Sequence, residues 1–491
     1  VTRHPKTLAA AFLACFLACF LAVAACAQTA KPAAPAAKET VSALMVSDIH
    51  FEPFWDPGKA HKLAAAPASE WKSILAAAPS PDREQQFAAL HKSCHTRGDD
   101  SSFALYESSL KAIHAQAADA KFATVSGDLV SHSFSCKYQA LFSNSSSADY
   151  RAFVKKTLKF VIDELSVALP GVPVYVALGN NDSDCGDYQL DTHSEFLSVT
   201  GKEVTKFFPA AEQAGAQATF AVSGDYSVTL PAPVQHARLL ALNDLFMSKH
   251  YATCAGAADP AAADAQIVWL RGQLTAARAN KEKIWVMAHI PPGVDPFSTA
   301  KKLDNVCGGQ GPEMFLSNDK LAAVLADFDD VIQLAIFAHT HMDELRILRP
   351  ENNTARSKGT AVKLVSSISP INGNSPSFTL ARVDPATAAL LDYRVIAASN
   401  STGIDTAWKE EYDFARGFHR SAFTASSVSE LVTGFTADPS AKTQASQDYI
   451  NHFSVGYLSP VLTAFWPQYA CALSNYTAGS YRACVCTAPG K

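Results

Sequence analysis

The stretch VYVALGNND, Val174 to Asp182, reads as a buried strand that ends in a turn. Its β-branched and aromatic start favours an extended chain. Gly179, Asn180, Asn181 and Asp182 are ordinary turn residues. Standing alone, such a strand says nothing about function. Four other apolar runs, however, end in the same style. ALMVSDIH closes on Asp48 and His50, FATVSGDLV carries Gly127 and Asp128, IWVMAHI reaches His289, and LAIFAHTH closes on His339 and His341. A further run, ARLLALNDLF, passes through Asn243.

Between these runs, apolar residues recur at three- and four-residue spacing over Tyr150–Leu165 and Ala265–Arg278, which predicts helices. Strands alternating with helices predict an α/β sheet covered by helices. In such sheets ligands bind beyond the carboxyl ends of the strands. Here those ends offer Asp48, His50, Asp128, Asn180, His289, His339 and His341. These are oxygen and nitrogen donors without sulfur, suited to Zn, Mn or Fe and less to copper(I). Seven donors are too many for one tetrahedral site. If one carboxylate bridges, they divide into two metals with four protein ligands each. Taken singly the pieces are weak: Asp-x-His and Gly-Asp are common in turns, and a lone His289 reads first as a core residue. His339-Thr340-His341 is firmer, because alternate strand residues point the same way. The ordered set carries the metal reading.

That set, over residues 43–345, resembles the calcineurin-like metallophosphoesterases, whose pattern is D-x-H, G-D, G-N-H-[DE], a later His and G-H-x-H, each after a strand. The resemblance implies a four-layer αββα sandwich and two divalent metal ions, Zn first and Mn or Fe as alternatives. It implies Asp48, His50, Asp128 and His341 on one metal, and Asp128, Asn180, His289 and His339 on the other. Two metals about 3.5–4 Å apart can clamp a phosphoryl group and lower the pKa of a bound water. Two departures are visible: Ala338 replaces a Gly, and Asn181 replaces the His that protonates the leaving group.

Within the family, four features resemble the acid sphingomyelinase and sphingomyelinase-like phosphodiesterase branch. They are His132 in GDLVSH, the segment CHTRGDDSSFALYESSL from Cys94, SSISPINGNSPSFTLARVDPATAALLDY from Ser366, and WKEEYDFARGFH with the Cys-bearing tail, expected to be helical. G-N-N-D also occurs in endopolyphosphatases of the wider branch. Two catalytic roles follow as expectations: His132 as general acid, and Asn181 orienting phosphoryl oxygens through its amide. The saposin module of acid sphingomyelinase has no counterpart in the Ala/Pro stretch before Ser47. The expected substrates are therefore nucleotide-type phosphodiesters, phosphocholine esters or polyphosphate. A binding-only surface lipoprotein that keeps the fold is the reading from another class.

The 491 residues, 48% hydrophobic and 18% charged, suit a globular chain with a large core. A net charge of -5 gives no basic face for nucleic acid. Residues 1–27 read as an export signal, with Cys26 placed for lipid attachment in VAAC and cleavage after Ala27 as the competing reading. A membrane partner through that lipid, and a periplasmic, cell-surface or secreted location, are the expectations. An Ala/Pro linker follows over 28–41, then the phosphoesterase domain over 42–396 and a helical region over 397–491. Outside the signal eight cysteines remain, an even number that predicts disulfides in an exported chain. Their pairing is open, except that Cys484 and Cys486 are too close to be partners. NDSDCGD, Asn181 to Asp187, lacks the Gly and Glu of a calcium loop and reads as plain loop. His193, His236 and His250 read as surface residues.

Overall fold

The structure is a computed structural model that describes residues 39–302, 305–350 and 357–487. The export segment, Cys26 and nearly all of the linker lie outside the described residues. From Thr40 onward the chain is one compact unit built on twelve strands in two six-stranded sheets. The first sheet holds β1 (Val41–Val46), β2 (Phe122–Val125), β3 (Val174–Val176), β10 (Ser377–Val383), β11 (Leu390–Ala398) and β12 (Trp408–Asp413), in the order β12-β11-β10-β1-β2-β3. The second holds β4 (Tyr226–Thr229), β5 (Ala237–Ala241), β6 (Lys283–Met287), β7 (Ile332–Phe337), β8 (Glu344–Leu348) and β9 (Thr360–Leu364), in the order β4-β5-β6-β7-β9-β8.

Each sheet has a parallel heart. β1, β2 and β3 run parallel in one, and β5, β6, β7 and β9 in the other. Parallel strands are buried on both faces and read as continuous apolar runs, which is why FATV, IWVM and LAIF are nearly free of polar residues. The two sheets meet through side chains such as Phe122 of β2 and Trp285 of β6, edge to face at 5.5 Å between ring centroids. The Tyr226 hydroxyl of β4 donates to the Val176 carbonyl of β3, 3.1 Å.

Both predicted helices are present and longer than their apolar repeats, at Ser147–Ala168 and Pro260–Asn280. Ser146 and Asp149 form a reciprocal capping box at the first, and Asp259 with Pro260 opens the second. The expected α/β sandwich and helical C-terminal region are both found. The boundary between them differs from expectation. Trp408–Asp413, read as helical, is an edge strand paired antiparallel to β11. Its run of charges, Lys409 to Glu411, shows no clear two-residue period, and pairing with β11, interrupted by a register shift, decides the outcome. Helices take over only from Phe414. The described cysteines form four disulfides, Cys94–Cys136, Cys185–Cys254, Cys307–Cys486 and Cys471–Cys484.

Candidate metal centre

The loops after β1, β2, β3, β6 and β7 converge, so the sheet topology brings all seven expected ligands together. Backbone bonds knit the loops: Asp48 N–H donates to the Gly127 carbonyl, and His50 N–H to the Asp128 carbonyl. Gly127 and Gly179 let two chain segments touch. A Cβ on Gly179 would lie 2.1 Å from Asp128 Oδ1. Five of the seven candidate ligands hold the left-handed backbone: Asp48 (φ 43°), His50 (42°), Asp128 (57°), His339 (70°) and His341 (68°). Each such residue costs on the order of 1 kcal/mol relative to the ordinary helical or extended basins. Such outliers gather where surrounding structure and function require them.

The nitrogen lone pairs show what the cluster is built to hold. His50 Nδ1 donates to the Val130 carbonyl (2.9 Å), and His289 Nδ1 to the Ser126 carbonyl (2.8 Å). A carbonyl can only accept, so in the neutral rings both Nε2 atoms are bare. Yet His50 Nε2 faces His341 Nε2 at 3.2 Å and Asp128 Oδ2 at 3.4 Å. His289 Nε2 faces Asp128 Oδ2 at 3.1 Å, Asn180 Oδ1 at 3.2 Å and His339 Nδ1 at 3.3 Å. Asp48 Oδ1, fully buried, has no hydrogen-bond partner and lies 3.5 Å from His341 Nε2. Lone pairs turned on one another in a dry site are stabilised only by positive charge between them, whether protons or metal cations.

Without cations, the cluster holds protons in their place. Burial pulls His289 and His50 down, but Asp128 outweighs it and lifts them to about 10 and about 9. Burial, with the neighbouring imidazoles, drives His339 and His341 down to about 3. Burial opposes ionisation of Asp128, but His289 and His50 hold it well below the usual carboxylate range. The donor set therefore fits two divalent cations, one beside Asp48, His50 and His341 and one beside Asn180, His289 and His339, with Asp128 between.

His132 stands apart from the buried set. Its ring stacks on His50 at 4.0 Å between centroids, and one ring nitrogen lies within 4.8 Å of those of His50 and His341. About a third of the side chain is open to the cleft. Asn181 is close to the cluster. Its backbone N–H and its Nδ2 both donate to the Asp128 carboxylate, at 2.8 and 2.9 Å, so the amide is engaged on Asp128.

Several carboxylates that fix these groups were not singled out from sequence. Asp100 binds His132 Nδ1 (3.1 Å) and its backbone N–H (2.8 Å). Burial opposes its charge, but His132 outweighs this and holds it well below the usual range. Asp187, in the stretch read as plain loop, accepts from Asn180 Nδ2 at 2.8 Å and so turns Asn180 Oδ1 inward. Asp182 accepts the N–H groups of Leu129, Val130 and Gly179, pinning two ligand loops together. Asp244, just past the ARLLALNDLF strand, does the same for His289 and Ile290. The Tyr188 hydroxyl meets His339 Nε2 at 3.4 Å, which leaves Nδ1 facing the cluster. Only Asp182 and Asp187 lie within a few residues of a candidate ligand, Asn180; Asp100 and Asp244 carried no such signal in the sequence.

A cleft of about 590 Å³ opens over the cluster, lined by His132, Asn180, His339 and His341 among others. His250 belongs to its wall, whereas His193 and His236 do not. Among known proteins, human cyclic GMP-AMP phosphodiesterase SMPDL3A is 27% identical over 64% of this chain and 67% of its own. Sphingomyelinase phosphodiesterase D of Dictyostelium discoideum is 27% identical over 50% and 53%. Mouse acid sphingomyelinase-like phosphodiesterase 3b is 24% identical over 90% and 89%. The profile of the family described as calcineurin-like phosphoesterase matches residues 42–343, more than half of the chain and all of the converging loops. The chain belongs to that family, and it is a hydrolase of phosphoesters.

Proposed function

We propose that the protein is an exported phosphodiesterase of the sphingomyelinase-like type, working with two divalent cations. The observation that carries the reading is the pair of bare imidazole nitrogens, on His50 and His289, aimed at other donors 3.1–3.4 Å away. Asp48, His50, Asp128 and His341 hold one ion. Asp128, Asn180, His289 and His339 hold the other. Zn suits these donors best, with Mn or Fe as alternatives. Cations bound there supply Lewis-acid polarisation of the phosphoryl oxygens and a water of lowered pKa.

The chain's own groups do the rest. Asn181 and Asp182 fix the position of Asp128. Asp100 accepts the Nδ1 proton of His132 and orients the ring, so that Nε2 can present a proton to the departing oxygen. The polar cleft, with Tyr188, His250 and Phe315 on its wall, accepts a soluble nucleotide or phosphocholine-type diester. The names of the relatives support both. Four disulfides support an oxidising compartment, and lipid attachment at Cys26 extends the same reading. Elemental analysis should find two equivalents of metal, and bis(4-nitrophenyl) phosphate should be cleaved, with activity lost to a chelator and restored by Zn, Mn or Fe. Metal-free protein of full activity would defeat the reading.

A further inference from the structure

Three cationic side chains line the cleft: Arg97, Lys137 and Lys249. Two are already neutralised. Lys137 is buried against the buried carboxylate of Glu52, and Lys249 pairs with Glu313. Arg97 is exposed and has no hydrogen-bond or ion-pair partner among the described residues. Its neighbour Asp99 turns instead to His91, at 3.5 Å. A guanidinium left unpaired on a cleft wall is a ready bidentate site for a phosphate.

Arg97 sits in a built loop. On one side Cys94 is tied to Cys136, on the segment just past His132. Thr96 N–H donates to the His91 carbonyl at 3.1 Å. On the other side Gly98 lies against Ile371, where a Cβ would come within 3.2 Å of the Ile371 carbonyl oxygen. Beyond it, Asp100 grips His132, and Ser101 N–H donates to the His50 carbonyl. Arg97 is thus three residues from the carboxylate that orients His132, on the His132 side of the cleft. That side faces the leaving group if His132 supplies its proton.

We infer that Arg97 is a specificity-determining residue that binds a second phosphate carried on the leaving group, selecting such substrates over diesters whose leaving group is neutral or cationic. The inference rests on the phosphodiesterase reading and names its substrate class. Phosphocholine esters, whose leaving or retained group is cationic, gain nothing from Arg97. A polyphosphate chain and a dinucleotide both present the required anion.

The test compares wild type with Arg97→Ala, Arg97→Lys and Arg97→Glu on four substrates: bis(4-nitrophenyl) phosphate, 4-nitrophenyl phosphocholine, tripolyphosphate and a 3′,5′-linked dinucleotide with a terminal phosphate. Calorimetric binding of pyrophosphate to the metal-loaded proteins is measured alongside. Arg97→Ala should lower kcat/KM about tenfold on whichever of the last two is cleaved, mainly through KM, with Arg97→Lys recovering part. Bis(4-nitrophenyl) phosphate and 4-nitrophenyl phosphocholine, which both release nitrophenolate, should change less than twofold in every variant. Pyrophosphate affinity should fall in step with charge. Equal effects on all substrates, or unchanged pyrophosphate binding, would overturn the role of Arg97 while leaving the phosphodiesterase intact. Wild-type cleavage of only the two nitrophenyl diesters would do the same. Wild type inactive on every substrate would instead overturn the phosphodiesterase reading, and the binding arm would still decide Arg97.

Discussion

Replacing Gly179 by Ala adds one methyl group at the closest approach between two ligand loops. The new Cβ would stand 2.1 Å from Asp128 Oδ1, 2.4 Å from the Asp128 nitrogen and 2.7 Å from its Cγ. Carbon and oxygen atoms in non-bonded contact rest roughly 3.3–3.6 Å apart. The carboxylate must therefore retreat by about 1 Å, and its backbone nitrogen cannot yield easily because the Asp128 carbonyl accepts from His50 N–H. Metal–ligand distances tolerate only about 0.2 Å, and a misplacement of about 1 Å can cost on the order of 100-fold in rate. Gly179→Ala is expected to lower kcat/KM on bis(4-nitrophenyl) phosphate by about two orders of magnitude and to drop metal content below two equivalents. Its unfolding free energy should fall by only about 1–3 kcal/mol, the usual cost of overpacking. Gly215→Ala is the control: it lies in the helix Ala210–Ser223 with nothing near its Cβ position. It should keep both metals and gain up to about 1 kcal/mol. Full metal content with turnover within twofold of wild type in Gly179→Ala would refute the close-approach argument.

Asp128→Asn should lose most of both metals by elemental analysis, because one carboxylate serves two ions and a neutral amide donates poorly; two retained equivalents with full turnover would contradict this. His132→Ala should slow an alkyl phosphodiester roughly 10²–10⁴-fold but a nitrophenyl diester far less, with metal content unchanged; equal slowing would show that His132 is not the acid. Metal-stripped protein should lose stability as pH rises. His50 and His289 are raised from 6.5 to about 9 and about 10, so their contribution is full below pH 6.5 and is lost through that window. Melting curves with and without chelator over this range should diverge, and parallel curves would show that the imidazoles are not the groups responsible.

The sandwich was legible because its central strands are parallel and fully buried, which leaves long apolar runs ending abruptly in polar turns. The candidate ligands were legible as a set because those turns come in a fixed order. β12 was not, since its six residues carry three consecutive charges and no two-residue alternation, and a short helix start can look the same. Asp100, Asp187 and Asp244 were missed for another reason. A carboxylate that orients a ligand is chosen by three-dimensional proximity. Asp100 reaches His132 across 32 positions of sequence, and Asp244 reaches His289 across 45. Asn181 shows the reverse case: its position was visible, but only the structure reveals that its amide is spent on Asp128.

The disulfide between Cys307 and Cys486 spans 179 positions and lands beside the cleft wall that carries Met314 and Phe315. Arg482 adds hydrogen bonds to the Gly309 and Gln310 carbonyls, and Val306 packs with Tyr481 and Val485. Residues made late in synthesis therefore lock a wall made much earlier. The rest of the wall is held locally, by Asp295 N–H on the Glu313 carbonyl and Phe315 N–H on the Gly293 carbonyl, so the tail adds a second, distant fastening. A cut or a lost cysteine near the C-terminus would therefore be felt at the cleft wall, although the two lie 179 positions apart in the chain.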